Sequence, residues 1–240
     1  MVKVLDLSTV TKETTVEDGM TLVGKLAAGG SIVLGNGKYT LANVDINSDG
    51  AITVGKSGIS CTGNTNIVLK GKNKVKGLGE NYPGIWIKEG FTLTIEGNGS
   101  LEATGNYGAG IGCASYTQDE ENNCGNIVIK SGTVTATSET AAGIGSGYSS
   151  ANSDCGNITI EKDAVVTAKS GRPEAASIGT SEGSSSGRSR CESITIKSGA
   201  TVTVTKNKNA EAAIGKGNGG SMGTDPVIEE GANITTIIAE

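Results

Sequence analysis

The chain has 240 residues, long enough for one large domain or two small ones, with 38 glycines, 3% aromatic residues and no histidine. Its 20 Lys and Arg against 25 Asp and Glu leave a formal charge of −5, without the basic face that displaces phosphate counterions, so nucleic-acid binding is not expected. No apolar stretch approaches the ~20 residues that a membrane span requires, and short Ile, Val, Leu and Ala clusters bounded by Gly, Asn and Ser read as many short strands, with no 3.6-residue period sustained for a helix.

The start, Met1-Val-Lys-Val-Leu-Asp, lacks the apolar core of a secretory signal, which leaves either a trimmed start or a different exit from the cell. Residues 1–58 read as N-terminal capping coils. Over 59–107 come shorter coils, with Ile59 and Ile85 each 26 residues ahead of the next repeat. Lys70, Lys72, Lys74 and Lys76 alternate within this stretch as on the solvated face of a strand. Residues 108–212 hold three long-loop repeats, each with an Ile-Gly pair, a polar loop, a Cys, an apolar triplet and a Thr-rich strand. Ile111, Ile144, Ile178 and Ile214 set their steps at 33, 34 and 36 residues. Residues 213–240 form a C-terminal capping coil.

Each repeat carries three short strands, and one repeat alone cannot bury its apolar stripe; stacking pairs every strand with its equivalents and aligns the stripes. The expected fold is all-β: a single-stranded, right-handed parallel β-helix of about seven coils in one domain. A β-sandwich or propeller is the alternative, disfavoured because antiparallel hairpins do not keep one residue type at each corner. Alternation places Ile127, Ile129, Ile158, Ile160, Ile194 and Ile196 in the core, with Val128, Thr159 and Thr195 outside.

Stacking turns equivalent positions into columns. Cys124, Cys155 and Cys191 form one, read as small buried thiols, since zinc sites use paired ligands or His. Cys113 stands eleven residues before Cys124, and spacing leaves a disulfide between them open. Asn66, Asn126 and Asn157, continued by Ser193, are expected to form a hydrogen-bonded column at a corner. Glycines beside each Ile, such as Gly110, Gly112, Gly143 and Gly145, serve tight corners or close backbone approach; strings such as "GIGSG" lack the helix that would point at a phosphate.

No nucleophile with a base and no matched carboxylate pair stands out, so no catalytic or metal site is expected. Asp119, Glu120 and Glu121 share one loop, as solvated charge or as a Ca²⁺ or ligand contact. Trp86, Tyr116 and Tyr148 are expected to face outward on neighbouring coils, with Tyr82 and Tyr107 at another corner, where rings stack on the apolar faces of sugars. The bland alternative is that these rings cover coil edges. Thr135, Thr167 and Thr203 form a further column, an array that orders water in the manner of an ice-binding face; Val165 and Lys169 interrupt it, and the unequal repeats are expected to spoil the lattice.

The motifs "ENYPGIWIKEGFTLTIEGNGSLEATG", "GAGIG", "CGNIVI", "AAGIG" and "CGNITI" resemble repeat-containing β-helix proteins of Bacteroides-type gut bacteria, which implies a surface or adhesin-like protein outside the cell. The segment "TLVGKLAAGGSIVLGNGKYTLANVDINSDGAITV" is more distantly similar to carbohydrate-binding β-helix modules related to pectate lyases, implying polysaccharide binding, with Ca²⁺ as an option. The lyases' catalytic Arg and Lys pattern is not recognisable. Three functions are therefore in play: a glycan-binding or adhesin-like module, a structural rod or phage-tail-like component, and a polysaccharide lyase.

Overall fold

The structure is a computed structural model, and it describes residues 3–115, 122–148, 152–183 and 187–239. Strands fall into a larger sheet of 14 and a smaller one of eight; the one helical segment among the described residues is the 3-10 turn Leu7–Thr9. No helix among them is long and apolar enough to cross a membrane. Pairing is parallel from the first coil to the last.

The smaller sheet supplies the metre. Thr14, Ile32, Ile59, Ile85, Ile111, Ile144, Ile178 and Ile214 lie over one another. The intervals between these eight positions are 18, 27, 26, 26, 33, 34 and 36 residues, which makes about seven windings and extends the repeat two coils upstream of Ile59. Each coil adds two strands to the larger sheet: Ile85–Ile87 is followed by Thr92–Gly97 and Ser100–Gly105. Between the two, the chain bends at glycines in the left-handed region, Gly71 at φ 64° and Gly132 at φ 88°, a conformation that residues with a Cβ seldom take. The expected parallel β-helix with three strands per coil is the observed fold.

The core is a set of columns. Leu93, Ile127, Ile158 and Ile194 stack in one, and Ile67, Ile95, Ile129, Ile160 and Ile196 in the next, all buried. On the second arm Leu101, Val134, Val166 and Val202 do the same. Burying each such side chain is worth about 1.5–3 kcal/mol, and the columns place like against like, so one pattern serves every coil. Asn73 pairs with Leu101 in the next coil but faces a gap in the pairing with Gly37–Ile46 in the previous one: its Oδ1 accepts from Val44 N at 3.1 Å and its Nδ2 donates to Ser100 O at 3.0 Å.

Three expectations need correction. Asn66 is not in the Asn column: it pairs with Thr94, which leads to Val128 and Thr159. The corner member is Asn64. The ladder runs from Asn36, whose Oδ1 accepts from Asn64 N at 2.8 Å, to Asn64, whose Oδ1 accepts from Thr92 N at 2.9 Å. It continues through Asn126, whose Oδ1 accepts from Asn157 N at 2.9 Å, to Asn157, whose Oδ1 accepts from Ser193 Oγ at 2.6 Å. Matching the apolar triplets Ile67-Val68-Leu69 and Ile127-Val128-Ile129 sets Asn66 against Asn126, whereas the register sets Ile67 over Ile95 and Ile129, two residues further on. Second, the unequal repeats do not spoil the Thr array. Extra residues are absorbed by the loops, and Thr135, Thr167, Thr203 and Thr235 remain in register, with Val165 and Lys169 as interruptions. Third, Trp86 is 5% exposed, for a reason given below.

Candidate functional site

The outer face of the smaller sheet differs between its halves. Thr15, Val33, Ser60 and Trp86 form its outward column over the first coils. The next positions are Gly112, Gly145, Gly179 and Gly215. These glycines have φ of 139°, 132°, 126° and 122°, and a Cβ on any of the first three would run into the carbonyl oxygen of the glycine in the following coil. Their neighbours' amides are already taken: Cys113 N donates to Gly145 O at 2.9 Å and Ser146 N to Gly179 O at 3.0 Å. The space that a phosphate cradle would leave open is filled by backbone, as the close-approach reading of these glycines expects.

Where side chains remain, they line a groove of ≈ 230 Å³. Its floor is Thr15, Val33 and Ser60, its rim is Glu13, Lys56 and Thr62, and its far wall is Tyr82 and Trp86. Glu13 and Lys56 face each other at 3.7 Å, both largely solvated. The Trp86 ring leaves the inner face, as alternation demands, but the chain entering Cys124 covers it, and the indole N–H donates to Asn123 O at 2.9 Å. Only an edge of the ring therefore reaches the groove. Behind the floor, burial pushes the Cys61 thiol up to about 12, so it stays protonated at neutral pH.

Tyr107 and Tyr148 form a second cluster. Their ring centroids are 6.1 Å apart at 42°, and Tyr148 N donates to Tyr107 O at 2.9 Å. The Arg172 guanidinium lies 4.5 Å from the Tyr148 ring centre and is held from the other side by Glu182 and by Glu174 at 3.5 Å. Tyr107 is 37% exposed and Tyr148 half-buried. The nominated rings are thus split: Tyr82 with Trp86 at the groove, Tyr107 with Tyr148 at a corner, in place of a single ridge. Tyr116, Asp119, Glu120 and Glu121 lie outside the described residues.

Sequence reading missed Thr15, Ser60, Glu13, Lys56 and Arg172. A signal for Ser60 existed: Ile59 and Ile85 were already aligned, so the residue after each shares a column. Thr15 required the repeat to be followed back through Ile32, which a degenerate N-terminal coil hides.

The cysteine column is in register: Cys124 bridges Cys155, and Cys155 pairs with Cys191. Cys113 and Cys124 are joined by a disulfide with Cα atoms 4.8 Å apart, while Cys155 and Cys191 are free and buried.

A family model described as Beta helix repeat matches residues 93–115 and 127–148, both inside the coils just described. This chain is a parallel β-helix repeat protein. Neither a curated protein nor a solved structure matches it. The match covers two consecutive coils of the β-helix and carries no statement of ligand or activity.

Proposed function

We propose that this β-helix is a non-catalytic, surface-associated module that binds polysaccharide, with the groove on the outer face of its smaller sheet as the binding site. The carrying observation is the composition of that groove: Tyr82 and the Trp86 edge on one wall, with Thr15, Ser60, Thr62, Glu13 and Lys56 around the floor and rim. Sugars present apolar faces ringed by hydroxyls, which an aromatic wall beside scattered hydroxyl and charged groups complements. The groove crosses several coils, so it runs along the stack and suits a chain-like ligand. The resemblance to carbohydrate-binding β-helix modules points the same way, and a location outside the cell follows from that reading.

The test is a glycan array followed by titration calorimetry on the hits. Ser60→Arg fills the floor from an exterior position, and Tyr82→Ala removes a wall; each should weaken Kd at least about tenfold, the loss of some 1.4 kcal/mol. An array with no hits, or hits that Ser60→Arg leaves unchanged, would sink the reading.

A second reading, a rod acting through protein contacts, is favoured by one observation. Val227, Ile228, Ile237 and Ile238 are all exposed on the last coil, and the strand Asn233–Ile238 pairs on one edge only. Such an edge is a template for another strand. Light scattering across a concentration series should then show end-to-end assembly that Ile237→Lys abolishes.

A further inference from the structure

Four of the five cysteines meet at one interior corner between the smaller sheet and the first arm of the larger one. The Sγ atoms of Cys113, Cys124 and Cys155 all lie within 4.8 Å of one another, and among the described residues they make the one group of three or more side chains that could hold a metal. Cys191 stands next in the column, and its thiol meets that of Cys155. All four are at most 2% exposed, with Ile111, Ile127, Ile144 and Ile158 of the same coils fully buried. The chain has no histidine to compete as a ligand.

We propose that the reduced form of this corner is a binding site for one soft, monovalent d¹⁰ cation, Cu(I) in class, held by the sulfurs of Cys113, Cys124 and Cys155. The donor set selects the ion. Three sulfurs in a dry, apolar corner satisfy an ion content with two or three soft ligands, whereas zinc completes a tetrahedron with a fourth ligand or water. Hard cations seek oxygen, and none of the three donors offers it.

The disulfide makes occupancy conditional on redox state. A phosphine reductant breaks the Sγ–Sγ bond by giving up two electrons; phosphorus takes an oxygen from water and the two protons of that water end on the sulfurs. The cation then displaces protons from ligating thiols to solvent, so binding strengthens as pH rises.

The experiment titrates the full chain with Cu(I) under anaerobic conditions, against the chromogenic chelator bicinchoninate, before and after reduction by phosphine. The reduced chain should withdraw one ion per molecule and gain a near-ultraviolet sulfur-to-metal absorption; the oxidised chain, left with only the free Cys155 and Cys191 thiols, should withdraw far less. Cys155→Ser should weaken binding by roughly a hundredfold or more, as loss of a ligand. Cys61→Ser, an equally buried thiol outside the group, should bind as the parent does. Cys113→Ser removes the disulfide, leaves the Cys124 and Cys155 sulfurs as a two-coordinate site, and should bind without any reductant, so a parent disulfide that resists reduction does not decide the matter. Binding that is equal in oxidised and reduced chains, or unchanged in a Cys155→Ser variant with parental circular dichroism, overturns the proposal. So does failure of both the reduced chain and Cys113→Ser to take up the ion.

Discussion

Asn126 shows how much a single side chain carries when its environment recurs in the next coil. Its Oδ1 takes the Asn157 backbone N–H at 2.9 Å and the Asn157 Nδ2 at 3.1 Å, and its own Nδ2 reaches Thr92 Oγ1 at 3.4 Å. Asn126→Ala deprives a backbone donor of its acceptor, and denaturant unfolding should report a loss of about 1–2 kcal/mol. Gly145 is stricter still, since both its φ of 132° and the Gly179 carbonyl forbid a Cβ. Glu96 adds a pH response. The Lys38 ammonium at 2.7 Å, and secondarily the Asn66 amide at 3.2 Å, hold its carboxyl below the usual range. A depressed folded-state value means that this stabilisation is present above the unfolded value, near pH ~4.3, and lost as pH falls through the folded one. Glu96→Gln should therefore cost at most about 1 kcal/mol at neutral pH and flatten the fall in Tm below pH ~4.5.

Elements differ in how completely they are enclosed. The strands Asn126–Ser138 and Ser153–Ser170 each pair on both edges and send alternate residues into filled columns. Asn233–Ile238 pairs only with Thr201–Lys206, and five of its six residues are exposed. Amide hydrogen exchange should be slowest at Ile127, Ile158 and Ile160 and faster by orders of magnitude at Thr236 and Ile238. Uniform protection across these strands would contradict that gradient. The two-residue strands Ile111–Gly112, Ile144–Gly145 and Ile178–Gly179 are short for the same reason that their glycines are required: the chain bends back at once, as Ala109 N to Cys113 O, Ala142 N to Ser146 O and Ala176 N to Thr180 O all record.

At the scale of the whole molecule, stability is a sum over coils and the interfaces between them, so position along the stack sets the cost of a mutation. Ile158→Ala, in a central column with neighbours above and below, should cost about 2–5 kcal/mol in an unfolding titration. Ile228 continues the column of Ile196 but is 48% exposed, and truncating it should cost under about 1 kcal/mol. The same one-dimensional build keeps function on the flanks. The core repeats from coil to coil, while the outward column changes from Thr15, Val33, Ser60 and Trp86 to bare glycine, confining the groove to the first coils.

Sequence alone determined the architecture, because apolar period, Ile-Gly spacing and recurring Cys are local patterns that a stacked chain converts one for one into columns; Ile59 through Ile214 stand where the spacing puts them. Tertiary structure decided what the loops do. The burial of Trp86 beneath Asn123, the meeting of Tyr107 with Tyr148 and of Tyr148 with Arg172, and the approach of Cys113 to Cys155 join residues 24 to 42 positions apart, through excursions whose path no periodicity encodes. A repeat fixes which residues share a column; which neighbours cover the outer face depends on how aperiodic segments pack against it.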